Sequence, residues 1–224
     1  MSKLSNRYFI LFGILFTAAF LGSCSNSTGP GNSSNITIPH IGSFFVTDYQ
    51  NFDSNGIMES SYTRTDTFVQ AGLTVLGKTN VVGIMASGAA DVSYLHYESN
   101  GDISFISDDA GFNAWYTYPF ATQGTSQLPA QSVSGIHVTK MATGAGSDSV
   151  IIKGQSFLTE KIIITKVQTD SLFGQVSTDT TVDTVRFAPA LGWVVQENIP
   201  GWRDAILGIM WESHNNILID YKLY

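Results

Sequence analysis

Polar and apolar residues alternate over short runs along most of this chain, and this alternation limits the possible folds more than any other feature. Between Ser61 and Val69 the even-numbered residues, which include Tyr62, Arg64 and Phe68, face one way, and serine and threonine face the other. Similar runs separated by Gly, Asn and Pro recur to the C-terminus, and we count about ten of them. The pattern predicts a β protein.

The clearest hairpin lies around Asn100-Gly101, because this dipeptide supplies the positive φ angles of a type I′ turn. Phe68 to Leu76 is ambiguous and could instead hold a single helical turn, as could Pro200 to Ile206. Charged residues make up only 13% of the chain, and long helical segments rich in Glu and Lys are absent. We therefore expect an all-β fold with little helix. It would be a single antiparallel, strongly curved sheet or open barrel of about ten strands.

The N-terminus has the layout of a secretory signal. Lys3 and Arg7 provide a basic start, Tyr8 to Phe20 is almost wholly apolar, and small residues follow. A transmembrane helix is the alternative interpretation. It requires about 20 apolar residues, whereas this run ends at Gly22 and a polar stretch follows.

Leu21-Gly22-Ser23-Cys24 resembles the lipobox of bacterial lipoproteins. The resemblance implies that residues 1–23 are a signal peptide, that the Cys24 thiol takes a diacylglycerol, and that cleavage before Cys24 leaves an amino group open to acylation. It also implies a cell-envelope lipoprotein held in the membrane by its N-terminal lipid. Ser25, rather than an aspartate, follows the anchor, which in the sorting rule of enterobacterial lipoproteins favours the outer membrane.

The remaining chain divides into a tether over residues 24–36 and a β-rich globular domain over residues 37–224. The tether is expected because Ser25 to Asn35 contains no apolar residue. The net charge of the whole chain is −7. Residues 1–23 hold two basic and no acidic residues, so the net charge of the remainder is near −9. This charge argues against nucleic acid as a partner. Since Cys24 is the only cysteine, disulfides and thiolate metal sites are excluded.

No residue pattern predicts catalysis, a metal or a cofactor. The four histidines stand apart from any second ligand at metal-binding spacing. The serines lack the second glycine of a nucleophile elbow, as in Gly154-Gln155-Ser156. Asn51 to Gly56 resembles half of a calcium loop, but Tyr62 stands where that loop needs a carboxylate, so a hairpin turn explains it better.

Four residues are candidate ligand contacts: Tyr62, Arg64, Trp115 and Trp193. Arg64 could anchor a polar group of a ligand, or it could form a sheet-face ion pair with Asp66 on the same strand. The aromatic residues could line a concave sheet or fill the core.

The segment from Phe187 to Glu197 is similar to an aromatic-Ala-Pro-Gly-Val-Gly-Leu-Val motif of uncharacterised bacterial envelope proteins. It departs from that motif at Ala190, which replaces a Gly, and at Val195 and Gln196, which stand where a Lys is common. The resemblance implies a curved antiparallel sheet distantly like the LolA and LolB lipoprotein carriers. From the residues alone, the segment predicts a β-corner that packs Phe187 and Trp193.

These features favour a non-enzymatic binding domain for an apolar ligand or lipid. One alternative is a structural or assembly lipoprotein that docks another envelope protein through a strand edge. A hydrolase acting on envelope polymers is a further alternative, for which the sequence assembles no nucleophile and base.

Overall fold

The computed structural model describes residues 36–106, 114–133, 136–172, 175–201 and 213–224. Within these ranges the chain forms β-strands and no helix, so none of the described segments is a helix long and apolar enough to cross a bilayer. The predicted signal peptide, Cys24 and all of the predicted tether except Ile36 lie outside the described residues. The described residues form twelve strands: β1 (Phe44–Phe52), β2 (Met58–Val75), β3 (Lys78–Ala86), β4 (Ser93–Tyr97), β5 (Ile103–Ile106), β6 (Trp115–Tyr118), β7 (Thr125–Val133), β8 (Ile136–Ile152), β9 (Gln155–Leu172), β10 (Gln175–Ala188), β11 (Trp193–Ile199) and β12 (Ser213–Lys222).

All twelve strands belong to one antiparallel sheet, in the order β6-β5-β4-β3-β2-β1-β12-β11-β10-β9-β8-β7. The first and last strands pair in the middle of this order, where Phe45 lies opposite Tyr221. The two edge strands, β6 and β7, follow each other in sequence and lie side by side, so the sheet is nearly closed into a barrel. The predicted fold class is confirmed, with twelve strands instead of about ten.

The hairpin around Asn100-Gly101 is confirmed, but the predicted turn type is wrong. Gly101 has φ 89°, whereas Asn100 is not among the residues with positive φ, as a type I′ turn would require. Instead, Gly101 N–H donates to the Glu98 carbonyl, and Glu98 N–H donates to the Asp102 carbonyl, each at 2.9 Å. This is a three-residue loop closed by a glycine bulge, and it joins β4 to β5.

The ambiguous segment from Phe68 to Leu76 is not helical. It continues β2 to Val75, and its pairing with β3 shifts register after Phe68, after Gln70 and again after Leu73. Each bulge inserts an extra residue and breaks the period-two alternation, which explains why the apolar spacing there could suggest a helical turn. Pro200 and Gly201 are not helical, and the rest of the second candidate turn lies outside the described residues.

Two apolar clusters fill the domain. The first contains Phe45, Phe68 and Leu218 from the central strands, together with Phe157 from the β8–β9 hairpin. The second contains Phe120 and Phe187, whose rings stack at 5.0 Å, with residues from β8 to β10. Both clusters draw on strands far apart in sequence, so they stabilise the closed arrangement and not only single hairpins.

The β-corner between β10 and β11 forms as predicted. Pro189 lies in the turn, and the N–H groups of Leu191 and Gly192 return to the Ala188 carbonyl at 3.0 and 2.9 Å. Gly192 has φ 63°, and a Cβ added there would lie 1.9 Å from the Thr37 carbonyl oxygen. Only glycine therefore fits where the N-terminal segment crosses this corner.

Candidate functional site

Three adjoining chambers lie inside the barrel, with volumes of about 610, 200 and 110 Å³. The two larger chambers share Arg64, Asp66, Trp193 and Glu197. The smallest shares Leu95 and Phe105 with the largest and Tyr118 and Val194 with the intermediate one. Trp193 lines all three, so the chambers adjoin one another around this side chain.

Aromatic packing fixes the position of Trp193. Its ring stacks on Phe45 at 4.8 Å with an interplanar angle of 10°, and it meets the edge of Phe68 at 5.6 Å. Phe45 and Phe68 are almost completely buried on the neighbouring strands β1 and β2. The strand β11 begins at Trp193 immediately after the Gly192 turn, so this turn positions the indole inside the barrel.

Arg64 and Asp66 form the polar end of the site. The Nε and Nη2 groups of Arg64 donate to one oxygen of Asp66, Oδ2, at 3.2 and 3.1 Å. The side chain of Arg64 is 41% exposed and that of Asp66 only 6%. A guanidinium has five N–H donors, so this arrangement holds Arg64 at the opening with donor capacity beyond the bonds to Asp66. The ion pair with Asp66 is therefore present, and Arg64 also lines the two larger chambers.

Burial controls the titration of the groups at this end. It raises the pKa of Asp66 above its ordinary value, and the positive charge of Arg64 opposes that rise without cancelling it. Burial also raises the pKa of Tyr49 to about 12, again against the opposing charge of Arg64. Tyr49 is therefore a neutral hydroxyl at physiological pH, and its ring lies under the Arg64 guanidinium at 4.8 Å.

Glu197 adds a second carboxylate to the two larger chambers. Its Oε2 accepts a hydrogen bond of 2.8 Å from Asn216 Nδ2, across the β11–β12 pair. Alternation along the sequence does not identify Glu197. It lies four residues after Trp193 on β11, but the pairing of β11 with β10 shifts register between Arg186 and Phe187. This shift leaves an extra residue in β11 between Val194 and Gln196 and breaks the period-two alternation there.

The smallest chamber is apolar. Phe105 and Tyr118 pack there with ring centroids 4.5 Å apart, and Tyr118 also meets the edge of Phe120 at 5.7 Å. The full lining is Leu95, Ile103, Phe105, Tyr118, Phe120, Phe187, Gly192, Trp193 and Val194. The interior thus runs from a charged opening to an aromatic and aliphatic end.

Tyr62 lies beside the opening and not inside it. Its side chain is 54% exposed, and its ring stacks on Tyr49 at 5.0 Å with an interplanar angle of 8°. Tyr62 therefore supports a ring that lines the intermediate chamber.

Trp115 lines none of the three chambers, and the structure places it with a separate polar cluster. Its Nε1 donates to the Val75 carbonyl at 3.1 Å, and the Lys78 ammonium lies 5.7 Å from its ring centroid. Glu98 pairs with Lys78, and His96 Nε2 lies 3.5 Å from Glu98 Oε2. These contacts connect the β2–β3 hairpin to β4 and β6, so Trp115 has a structural role here.

The described residues hold no group of three or more His, Cys, Asp or Glu side chains that could bind a metal ion. At the turn that resembles half a calcium loop, Asp53 Oδ1 accepts the N–H groups of Asn55 and Ile57 at 2.8 Å each. These hydrogen bonds lower the pKa of Asp53 and use its carboxylate to stabilise the turn.

No protein-family model matches the sequence. The curated proteins contain no significant match either. One similar solved structure is that of a protein from Bacteroides fragilis NCTC 9343, which is described as an exported protein with a YmcC-like fold. The two chains are 10% identical, the match covers 84% of this chain and 98% of the other, and the TM-score is 0.45.

Proposed function

We propose that this chain is a lipid-anchored lipoprotein of the bacterial cell envelope whose barrel interior binds an amphipathic small molecule without catalysis. The observation that carries the proposal is the set of three adjoining chambers that extends from Arg64 to Phe120, with Trp193 lining each of them. A few convergent polar groups beside an apolar pocket are typical of ligand sites. The lipobox at Cys24 supports the envelope location and the lipid anchor, and Ser25 supports the outer membrane.

The chemistry of the site favours a ligand with an anionic group and an apolar body. The exposed guanidinium of Arg64 can hydrogen-bond an anionic oxygen, and charge-assisted bonds of this type are the strong ones. The aliphatic and aromatic lining of the smallest chamber would take the apolar body. A single-chain acyl carboxylate or sulfonate has both features.

Arg64→Gln tests this assignment. The substitution removes the positive charge while retaining a polar side chain, and hydrogen bonds to charged groups contribute about 1.5–3 kcal/mol. We expect the affinity for an alkyl sulfonate to fall about tenfold or more, measured by isothermal titration calorimetry. Arg186→Gln is the matched control, since Arg186 also pairs with a strand aspartate, Asp148, and lines none of the three chambers. Equal affinities in the two variants would contradict the assignment.

One observation supports the hydrolase alternative. Asp66 and Glu197 both line the two larger chambers, and carboxylates in different environments can divide acid and base roles. Asp66, however, is 6% exposed and bound by Arg64, which favours a structural part for this carboxylate. Docking of a partner strand is less supported, because the edge strands β6 and β7 lie against each other.

A further inference from the structure

The N-terminal segment enters the domain at one defined end of the barrel. Thr37 N–H donates to the Pro189 carbonyl at 2.9 Å, beside the turn between β10 and β11. Eleven residues lie between Cys24 and Ile36, and even a fully extended chain of that length spans at most about 40 Å. A lipid on Cys24 would therefore keep this end of the domain close to the bilayer.

The tip of the β8–β9 hairpin lies at the same end. The pairing of β10 with β9 stops at Phe187 and Glu160, and the hairpin continues beyond it to Ile152 and Gln155. One face of the tip packs inward through Ile152 and Phe157.

The opposite face of the tip carries Ile151 and Leu158, which are 73% and 62% exposed. The tip is fixed against the last strand by two contacts. Lys153 Nζ lies 2.7 Å from Asp220 Oδ1, and the rings of Phe157 and Tyr221 meet edge to face at 5.9 Å.

Further exposed apolar side chains lie where residues 38–43 meet the C-terminal residues. Tyr224 is packed beside Gly42, and its N–H donates to Ser43 Oγ at 3.2 Å. The exposed Ile41 precedes Gly42, and the exposed Ile38 precedes Pro39 at the β10–β11 corner. We call the exposed apolar residues at this end of the barrel the anchor-end patch, which consists of Ile38, Ile41, Ile151, Leu158 and Tyr224.

Lysines accompany this patch in a chain whose net charge is −7. Lys222 Nζ lies 4.2 Å from the centroid of the Tyr224 ring, and Lys153 stands at the hairpin tip. Exposed aliphatic side chains with an aromatic residue and lysines are the combination found where proteins rest in a membrane interface. Lys153 counters the charge of Asp220, so this end can approach anionic headgroups.

We propose that the anchor-end patch rests in the headgroup region of the bilayer that holds the lipid on Cys24. This inference depends on the proposed lipid anchor and adds a defined orientation to it. Ile151 and Leu158 enter the interface, and Ile57 in the β1–β2 turn, at the opposite end of the strands, points away from it. The domain is thus oriented by its own surface and not only held by its tether.

The test uses the full chain, produced with its signal peptide and reconstituted into phosphatidylethanolamine and phosphatidylglycerol vesicles. Cys24 is the only cysteine, and its acylation removes the thiol, so one introduced cysteine is labelled uniquely. Ile151→Cys and Ile57→Cys are matched, because both replace an isoleucine that is more than 60% exposed near a turn. Each variant carries an environment-sensitive fluorophore, and nitroxide-labelled lipids report its contact with the bilayer.

We expect nitroxide quenching at position 151 to exceed that at position 57 about twofold or more, because interfacial side chains lie about 5–10 Å into the headgroup boundary. Equal quenching in protein that floats with the vesicles would overturn the orientation and leave the anchor intact. Failure of the parent chain to float, with Cys24→Ser behaving identically, would overturn the anchor and this inference together.

Discussion

Trp193 and Gly192 show how two adjacent residues can set the position of a ligand site. Gly192 adopts a positive φ and lies so close to the Thr37 carbonyl that a side chain has no room. That turn starts β11 and places the Trp193 indole against Phe45, inside the barrel. The sequence motif predicted the corner, while the chambers around the indole also need side chains from β1 to β6, none of which pairs with β11.

We expect Asp66 to make the site sensitive to pH. Its folded-state pKa is raised above the ordinary value of 3.8, so the folded protein gains a proton there before an exposed aspartate would. As pH falls through the folded pKa, Asp66 loses its charge and ceases to neutralise Arg64. We therefore expect binding of a naphthalene sulfonate, which stays anionic throughout, to strengthen as pH falls from 7 towards the ordinary pKa of an aspartate.

Fluorescence titration across that pH range measures the effect. In Asp66→Asn the competing charge is absent at every pH, so the affinity should already be high at pH 7 and stay nearly constant. A parent protein whose affinity is flat with pH, or falls on acidification, would show that Asp66 does not regulate Arg64.

At the scale of elements, the two candidate tryptophans have different surroundings, and we expect one to stabilise the fold and the other to contact a ligand. Trp115 holds the β2–β3 hairpin through its bond to the Val75 carbonyl, and Trp193 lines the chambers. Trp115→Phe should lower the free energy of unfolding by about 1 kcal/mol, the typical net contribution of a hydrogen bond, and leave ligand affinity unchanged. Trp193→Phe should weaken ligand binding.

Urea denaturation and the sulfonate titration, applied to both variants, distinguish these effects. If Trp115→Phe lost ligand affinity as strongly as Trp193→Phe, the division between the polar cluster at Trp115 and the barrel interior would be wrong.

The sequence reasoning identified most strands, because alternation reports directly which face of a strand is buried. Gly144 and Gly146 interrupt the apolar pattern within β8, so alternation alone does not predict one continuous strand there. Alternation also does not predict β7, where Pro129 lies within the run and register shifts after Leu128. Glycine and proline weaken the local signal even where neighbouring strands complete the ladder.

At the scale of the molecule, pairing of β1 with β12 determines which residues meet. This pairing places Tyr49 and Arg64 from the first strands near Glu197 and Asn216 from the last ones. Alternation gives the face on which a residue lies but not the partner strand, because contacts between distant strands leave no local pattern. Arg64 and Trp193 could therefore be selected individually, whereas their shared chambers required the topology.

The central claim is that the interior holds a small amphipathic molecule, and native mass spectrometry of residues 25–224 tests it most directly. This piece keeps every described residue and lacks Cys24. After gentle purification from cells, we predict a mass excess that disappears on denaturation and extracts as an amphipathic lipid, and that Trp193→Phe reduces it. A clean protein mass that remains unchanged after incubation with a single-chain acyl carboxylate would contradict the claim.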